Sequence, residues 1–284
     1  MTRRNRQLLH ATGSYALIAV LCMFALLPLL WMFSTSLKGS AEQFLSPPHW
    51  IPQQPTLENY TRIFFSERRT SGNFGTYFLN SLYISLMTTV LAIAIALPAA
   101  YAFSRFKFPG KDSAYFAVLA RNMFPLIVFL IPIFTIMRTL GWINTYTGLI
   151  VAYLTFTLPL AIWLLKGFFD GIPNELEKAA RIDGCTRFGA FLRVIVPLTA
   201  SGMTAAGVNA FIQAWNEYGF ARQLTESASM RTIPVGLAYF FTENTADWGG
   251  LMAAAFLFSV PVVVLFMIIQ RFFIAALTSG AVKQ

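Results

Sequence analysis

"EKAARIDGCTRFGAFLRVIVPL", residues 177–198, is a charged, small-residue stretch set between segments greasy enough to cross a bilayer. Asn174 lies three residues ahead of Glu177 and can accept from its backbone amide, while Glu177 reaches back, an Asx form of the capping box. The pattern predicts a short helix to about Asp183, where Gly184 supplies the left-handed ending that helices favour. Thr186 is a second capping residue, starting a helix that carries Phe188, Phe191 and Leu192 toward Pro197. The predicted unit is therefore a helix, a glycine turn and a second helix. Leu176, Ala179, Ala180 and Asp183 share one side of the first helix by the i, i+3, i+4, i+7 rule. Two alanines there would let another surface approach the backbone closely. A solvated loop whose alanines simply favour helix fits the same pattern.

The flanking sequence settles the class of molecule. The chain has 284 residues, of which 56% are hydrophobic and only 12% charged. A soluble domain carries roughly 25% charged residues, so this chain has about half the charge needed to coat a water-facing surface. Several apolar runs reach the ~20 residues that a bilayer core requires. The expected architecture is all-α: a polytopic membrane protein with six transmembrane helices over about 14–37, 76–104, 114–138, 148–169, 199–221 and 249–275. Prolines occur in most of them (Pro28, Pro98, Pro125 with Pro132, Pro159 and Pro261), and proline bends a membrane helix where neighbours can satisfy the freed backbone groups.

Charge gives the orientation. With the N-terminus inside, thirteen of the 21 Lys and Arg residues fall on cytoplasmic segments and seven outside, leaving Arg121 within the third span. Positive-inside bias then places both termini in the cytoplasm, and it accounts for the net charge of +9 without nucleic acid. The expected division is a cytoplasmic N-terminus (1–13), a first helix (14–37), an extracytoplasmic loop (38–75), a five-helix core (76–275) containing an inner loop at 170–198, and a cytoplasmic tail (276–284). The basic start followed by a long apolar run reads as a retained first span rather than a cleaved signal. The 38–75 loop is expected to be an ordered cap with Trp50, Ile51, Tyr60, Ile63 and Phe64 as apolar anchors, a floppy linker being the alternative. Cys22 and Cys185 suggest neither a disulfide framework nor a metal site.

The fifth span is the most polar. Asn209, Gln213 and Asn216 recur at i, i+4 and i+7, with Glu217 adjoining. Amides are costly in lipid, so the stripe should face a partner helix or a wet cavity. Amides also donate and accept together, which matches sugar hydroxyls, and Trp215 and Tyr218 offer flat faces for sugar rings. The same amides could instead hold helices together, with Gly202 and Ala206 permitting close packing. Arg121, beside Asn122, is the other expensive residue. It is expected to snorkel toward the inner headgroups or to serve gating contacts, the alternative being anion binding that would fit a phosphorylated substrate. Glu217 sits toward the outer end of its span, which argues against a pair with Arg121.

Glu177-Lys178-Ala179-Ala180-x-x-Asp183-Gly184, followed by Pro197 thirteen residues after the glycine, resembles the EAA loop of ABC-importer permeases. The likeness continues in "PTLENYTRIF" (55–64), "NSLYISLMTTVLAIAIALPAAYAFSRFKFPGK" (80–111), "WNEYGFA" (215–221) and "LTSGAVKQ" (277–284). Together they are similar to the carbohydrate-uptake branch, in particular the maltose-type second permease. Lys178 stands where many relatives have Glu, and Val194 and Val196 where Ile and Leu are favoured. The resemblance implies a type I importer permease fold in the cytoplasmic membrane of a bacterium or archaeon. Its first loop helix would be a coupling helix that inserts into a cleft on an ATPase. Glu177, Ala179, Ala180, Asp183, Gly184 and Pro197 would be the coupling residues. Implied partners are a homologous permease, two cytoplasmic ABC ATPases and an extracytoplasmic binding protein.

No phosphate loop appears in this chain, since Gly110-Lys111 lacks the upstream glycine and the hydroxyl residue of Gly-x4-Gly-Lys-[Ser/Thr]. ATP and Mg are therefore expected on the partner ATPases, with no cofactor and no covalent catalysis here. The expected cargo is a sugar or related polyol. Asn209, Gln213, Asn216, Glu217, Tyr218, Arg121 and Asn122 are candidates for the path, and the tail for an added ATPase contact. Two rivals remain: an ion-gradient carrier, which needs carboxylates deep in its spans, and a non-transporting scaffold.

Overall fold

The computed structural model describes residues 3–65, 73–240 and 247–281, with side chains described over 12–65, 73–240 and 247–270. Among the described residues every regular element is helical. In chain order they are α1 (Arg3–Ser36), α2 (Glu58–Phe65), α3 (Phe74–Arg105), α4 (Lys111–Ala120), α5 (Leu130–Thr139) and α6 (Tyr146–Asp170). Next come α7 (Asn174–Ile182), α8 (Arg187–Ala190), α9 (Val196–Leu198), α10 (Ala200–Trp215), α11 (Gly219–Leu224), α12 (Ile233–Ala238) and α13 (Trp248–Ala281). The chain divides into two compact units, one of residues 1–74 and 237–260, the other of 75–236 and 261–284.

Among the described residues four uninterrupted helices are long and apolar enough to span a bilayer: Thr12–Ser36, Phe74–Arg105, Tyr146–Asp170 and Trp248–Gln270. Six spans result only if two bent pairs each count as one, Lys111–Met123 with Leu126–Thr139 (105°) and Arg187–Leu198 with Ala200–Trp215 (74°). The expected third span is thus no continuous rod. Phe124 precedes a proline and is pushed out of the helical region to φ −95°, ψ 137°, and Pro125 follows at ψ 139°. Short 3-10 turns flank the break at Arg121–Met123 and Leu126–Phe129. Pro28, Pro98, Pro159 and Pro261 lie inside helices that run on through them. The expected fifth span also differs, because its helix stops at Trp215 and α11 starts afresh at Gly219. The last helix passes the expected boundary at 275 to reach Ala281, and residues 282–284 of the tail lie outside the described residues.

In the first unit the segment after α1 folds back by polar contacts. Lys38, 2% exposed, donates to the His49 carbonyl at 2.5 Å and lies 4.2 Å from the Trp31 ring centre. Asn59 donates to the Ser36 and Lys38 carbonyls, both at 2.8 Å, and Arg62 pairs with Asp247 at 2.6 Å. Over its described residues the segment makes these contacts, and its expected anchors divide between buried and exposed. Ile63 is buried and Trp50 rests edge-on against Trp31, whereas Ile51 faces outward. Buried carbonyls in this turn-rich segment are satisfied by side-chain donors, and that requirement selects Lys38 and Asn59 over the apolar residues. Arg68 and Arg69 of the same loop lie outside the described residues.

The second unit is organised around α3, α6 and α10. Ala96 and Ala100 of α3, Ala161, Ile162 and Leu165 of α6, and Ala206 of α10 share one buried cluster with Phe169, Phe191 and Ile195. Small residues at i, i+4 spacing bring helix backbones close where lipid gives no hydrophobic drive for association. Gly202 of α10 is one close approach: a Cβ there would sit 2.5 Å from the Phe168 ring. The small residues of α10 therefore serve close packing.

Candidate functional site

The 174–198 loop is built by its caps. Helix α7 ends with Gly184 at φ +90°, the Gly184 amide bonding to Arg181 O at 3.2 Å and the Cys185 amide to Ala180 O at 3.0 Å. These two bonds are the paired contacts of a Schellman ending. Thr186 then accepts from the Gly189 amide at 3.0 Å and starts α8. One π-helical turn (Phe191–Ile195) leads to Pro197 and the 74° bend. The expected capping box at the start is absent. Asn174 is already helical, Pro173 occupies the cap position, and the Asn174 side-chain oxygen is taken by Arg105. A guanidinium outcompetes a neutral amide for that oxygen.

Glu177 does not face outward. It is 7% exposed, and its Oε1 accepts from the Tyr101 hydroxyl at 2.7 Å. Arg187 Nε stands 3.5 Å from Oε1 and Arg105 Nε 4.0 Å from Oε2. Arg105 also donates to the Phe169 and Ile172 carbonyls at 2.9 and 2.6 Å, tying the end of α3 to the end of α6. Ser104 and Lys166 both hold Asp170, each at 2.6 Å. The Tyr101 ring packs on Phe106, Phe169 and Phe191, and the Arg187 guanidinium covers Phe106 at 4.1 Å. A desolvated carboxylate needs such company, because burying an unpaired charge is prohibitive.

The side of α7 expected to act as one surface is split. Ala180 is buried with Glu177, while Leu176, Ala179 and Asp183 remain exposed. Ile182 is 86% and Phe188 69% exposed, so the outer surface of the elbow is more apolar than the alanine pattern suggests. Gly184 and Pro197 are also on the outside.

A second feature lies in the same unit. A cavity of about 480 Å³ is lined by Arg121, Leu126, Ile127, Leu130, Phe156, Gln213, Asn216, Glu217, Tyr218 and Gly219. It brings together most of the polar residues singled out from the sequence, including Arg121 and Glu217, expected at opposite depths. The bend at Pro125 is the reason, because position along a broken helix no longer measures depth. The Arg121 guanidinium lies against Phe129 and Phe156 at 4.9 and 5.9 Å, and its Nε and one terminal nitrogen are buried without a hydrogen-bond partner. Glu217, 5% exposed, accepts from the Phe220 and Ala221 amides at 2.7 and 3.0 Å and so caps α11.

The remaining path candidates separate. Gln213 donates to Asn209, which lies one turn back and does not line the cavity. Asn122 is exposed and also outside the lining. Trp215 is 1% exposed and packed on Phe78 and Phe211, so its face is unavailable to a sugar ring, whereas Tyr218 borders the cavity. Sequence reasoning missed Tyr101 and Arg105. Both stand in the 80–111 stretch, but no spacing rule links Tyr101 to a residue 76 positions away.

Comparison with known proteins gives a consistent picture. Residues 92–279 match the family described as binding-protein-dependent transport system inner membrane component. The chain is 43% identical to the trehalose transport system permease protein SugB of Mycobacterium tuberculosis, over 92% of this chain and 93% of that protein. It is 37% identical to the sulfoquinovosyl glycerol transport system permease protein SmoH of Agrobacterium fabrum, over 93% and 91%. Its fold matches a chain in the crystal structure of a bacterial ABC transporter involved in import of the acidic polysaccharide alginate, with TM-score 0.80 and 21% identity over 96% of this chain and 99% of that one.

Proposed function

Because the chain belongs to the binding-protein-dependent transport system inner membrane components, we propose that it forms, with a homologous permease, the path for a sugar or related polyol delivered by an extracytoplasmic binding protein. The carbohydrate assignment is supported by the trehalose and sulfoquinovosyl glycerol relatives and by amide groups suited to hydroxyls. The chain sits in the inner membrane as a multi-pass protein, and its basic residues favour cytoplasmic termini. Two cytoplasmic ATPases bind ATP and Mg and supply the work.

The observation that carries this reading is the elbow at 174–198. Leu176 and Ile182 on α7 and Phe188 on α8 leave an apolar surface on an elbow fixed by the Gly184 ending of α7 and the Thr186 cap of α8. Covering one such side chain contributes roughly 1.5–3 kcal/mol, enough for a few of them to hold a partner. When ATP draws the two ATPases together, the elbow is dragged with them, and the bent helices above change which side of the cavity is open. Arg121, Gln213, Asn216, Glu217 and Tyr218 form part of the path, and Asn209 steadies Gln213. An ion-gradient carrier would need a carboxylate free to load an ion, and both Glu217 oxygens are already engaged.

The test is co-purification in mild detergent. The chain should bring down a Walker-motif subunit, and Ile182→Glu with Phe188→Glu should release that subunit while the permease remains in the membrane. Recovery of the bare permease across several detergents would sink the reading.

A further inference from the structure

The brace around Glu177 has a role that neither docking nor cargo recognition supplies. Its carboxylate points away from the exposed surface of the elbow and into the end of α3, where Tyr101 donates to it at 2.7 Å. One turn on, Arg105 holds the end of α6 through two carbonyls and α7 through Asn174. The C-terminal end of α3 therefore grips both sides of the point where the chain turns into the elbow. Further along α3, Ala96 and Ala100 pack in one buried cluster with Ala206 of α10, the helix that carries Gln213. A Cβ on Gly207 of α10 would lie 3.7 Å from Thr89 and 3.9 Å from Ile93. Close-packed interiors transmit displacement because they cannot compress.

We infer that Tyr101 and Arg105 are positioning residues that latch the elbow to α3, so that its movement is delivered through α3 to the cavity-lining α10. Glu177 is then the inner half of this latch and not a contact to the ATPase. The inference rests on the ABC-permease reading above and adds the linkage within the chain. Tyr101 contributes one short bond to a buried carboxylate, and Arg105 bridges three acceptors in a geometry that the lysine ammonium cannot reproduce. Loss of either leaves the elbow able to bind its partner but free to shift against α3.

The experiment uses the full complex in proteoliposomes, with uptake, ATP hydrolysis and ATPase content measured separately on wild type, Tyr101→Phe, Arg105→Lys, Glu177→Gln and the Tyr101→Phe/Glu177→Gln double variant. Uptake per ATP should fall about tenfold in each, the loss expected for a hydrogen bond to a charged group, with ATPase content unchanged. The double variant should be no worse than the worse single one, since Tyr101→Phe removes the bond whose charged acceptor Glu177→Gln neutralises. If Tyr101→Phe keeps the wild-type ratio, or the two losses multiply, the latch is wrong. Release of the ATPase by Glu177→Gln alone would make that residue a docking contact and overturn the inference. Loss of the assembled complex in both Tyr101→Phe and Arg105→Lys would reduce these residues to folding. A wild-type complex that takes up no sugar or polyol would sink the transport reading itself, a different outcome from a failed latch.

Discussion

Gly184 lets the elbow be tested one backbone angle at a time. Its φ of +90° is cheap for glycine and costs most other residues roughly 1–2 kcal/mol. Beyond its two chain neighbours nothing lies within 4 Å of the position a Cβ would take, so strain and not collision is the penalty. The expected order of uptake is wild type, then Gly184→Asn, then Gly184→Ala, then Gly184→Val, because Asn tolerates the left-handed region and a β-branched residue does not. Uptake in proteoliposomes checks this order, with membrane insertion equal throughout; equal uptake in all four would remove the turn from the mechanism. Gly184 and Thr186 were legible in the sequence because caps are local, decided within three or four residues. Glu177 and Ala180 were not. A helical wheel says which residues share a side, but not whether that side meets solvent or the protein's own α3. Arg121 was legible as costly and illegible as to place. Two of its nitrogens are buried without a hydrogen bond, which predicts that Arg121→Leu keeps or raises the thermal stability of the complex, because removing poorly satisfied polar groups offsets the lost contact with the Phe129 and Phe156 rings. Uptake should fall about tenfold if the guanidinium touches cargo. A stability loss with normal uptake, read by thermal shift and transport together, would make Arg121 structural.

At the scale of elements, hydropathy located every apolar segment but could not see direction. A window average is the same for a straight helix and for one bent by 105°, so the pair around Pro125 read as a single span. Proline alone does not separate the cases either, since Pro98 and Pro159 sit inside helices that continue. At Pro125 the preceding Phe124 has gone extended and both flanks have tightened into 3-10 turns. Irregular backbone at membrane depth is tolerated where it is buried in protein or lines a cavity, and Arg121, Leu126 and Ile127 line one. Pro125→Ala restores the missing amide and relieves the constraint on Phe124. The expected result is a straighter segment, Arg121 withdrawn from the cavity, and uptake reduced several-fold with insertion intact. Accessibility of Arg121→Cys to a water-soluble thiol reagent, with and without Pro125→Ala, reads the change. Unaltered labelling and uptake would mean that neighbouring helices, not the proline, impose the bend.

For the whole molecule, the general purpose was legible because it is written in several separated segments, while the assembly has to be found in what each helix leaves uncovered. The span Tyr146–Asp170 has 61% of its most apolar window buried, and Thr12–Ser36 has none. Exposure of that kind does not by itself demand a partner, because a leucine-rich flank is as comfortable against lipid tails as against another helix. The proposed pairing with a homologous permease makes the two alternatives distinguishable. Phe24 is 78% exposed midway along α1, and a photoreactive residue placed there reports its neighbour directly. In membranes containing the second permease, irradiation should join the two chains in a single product. The same residue in a chain expressed alone should capture lipid. If the permease product fails to appear while the complex still purifies intact, α1 faces lipid in the assembly and the permease interface lies on another part of the chain.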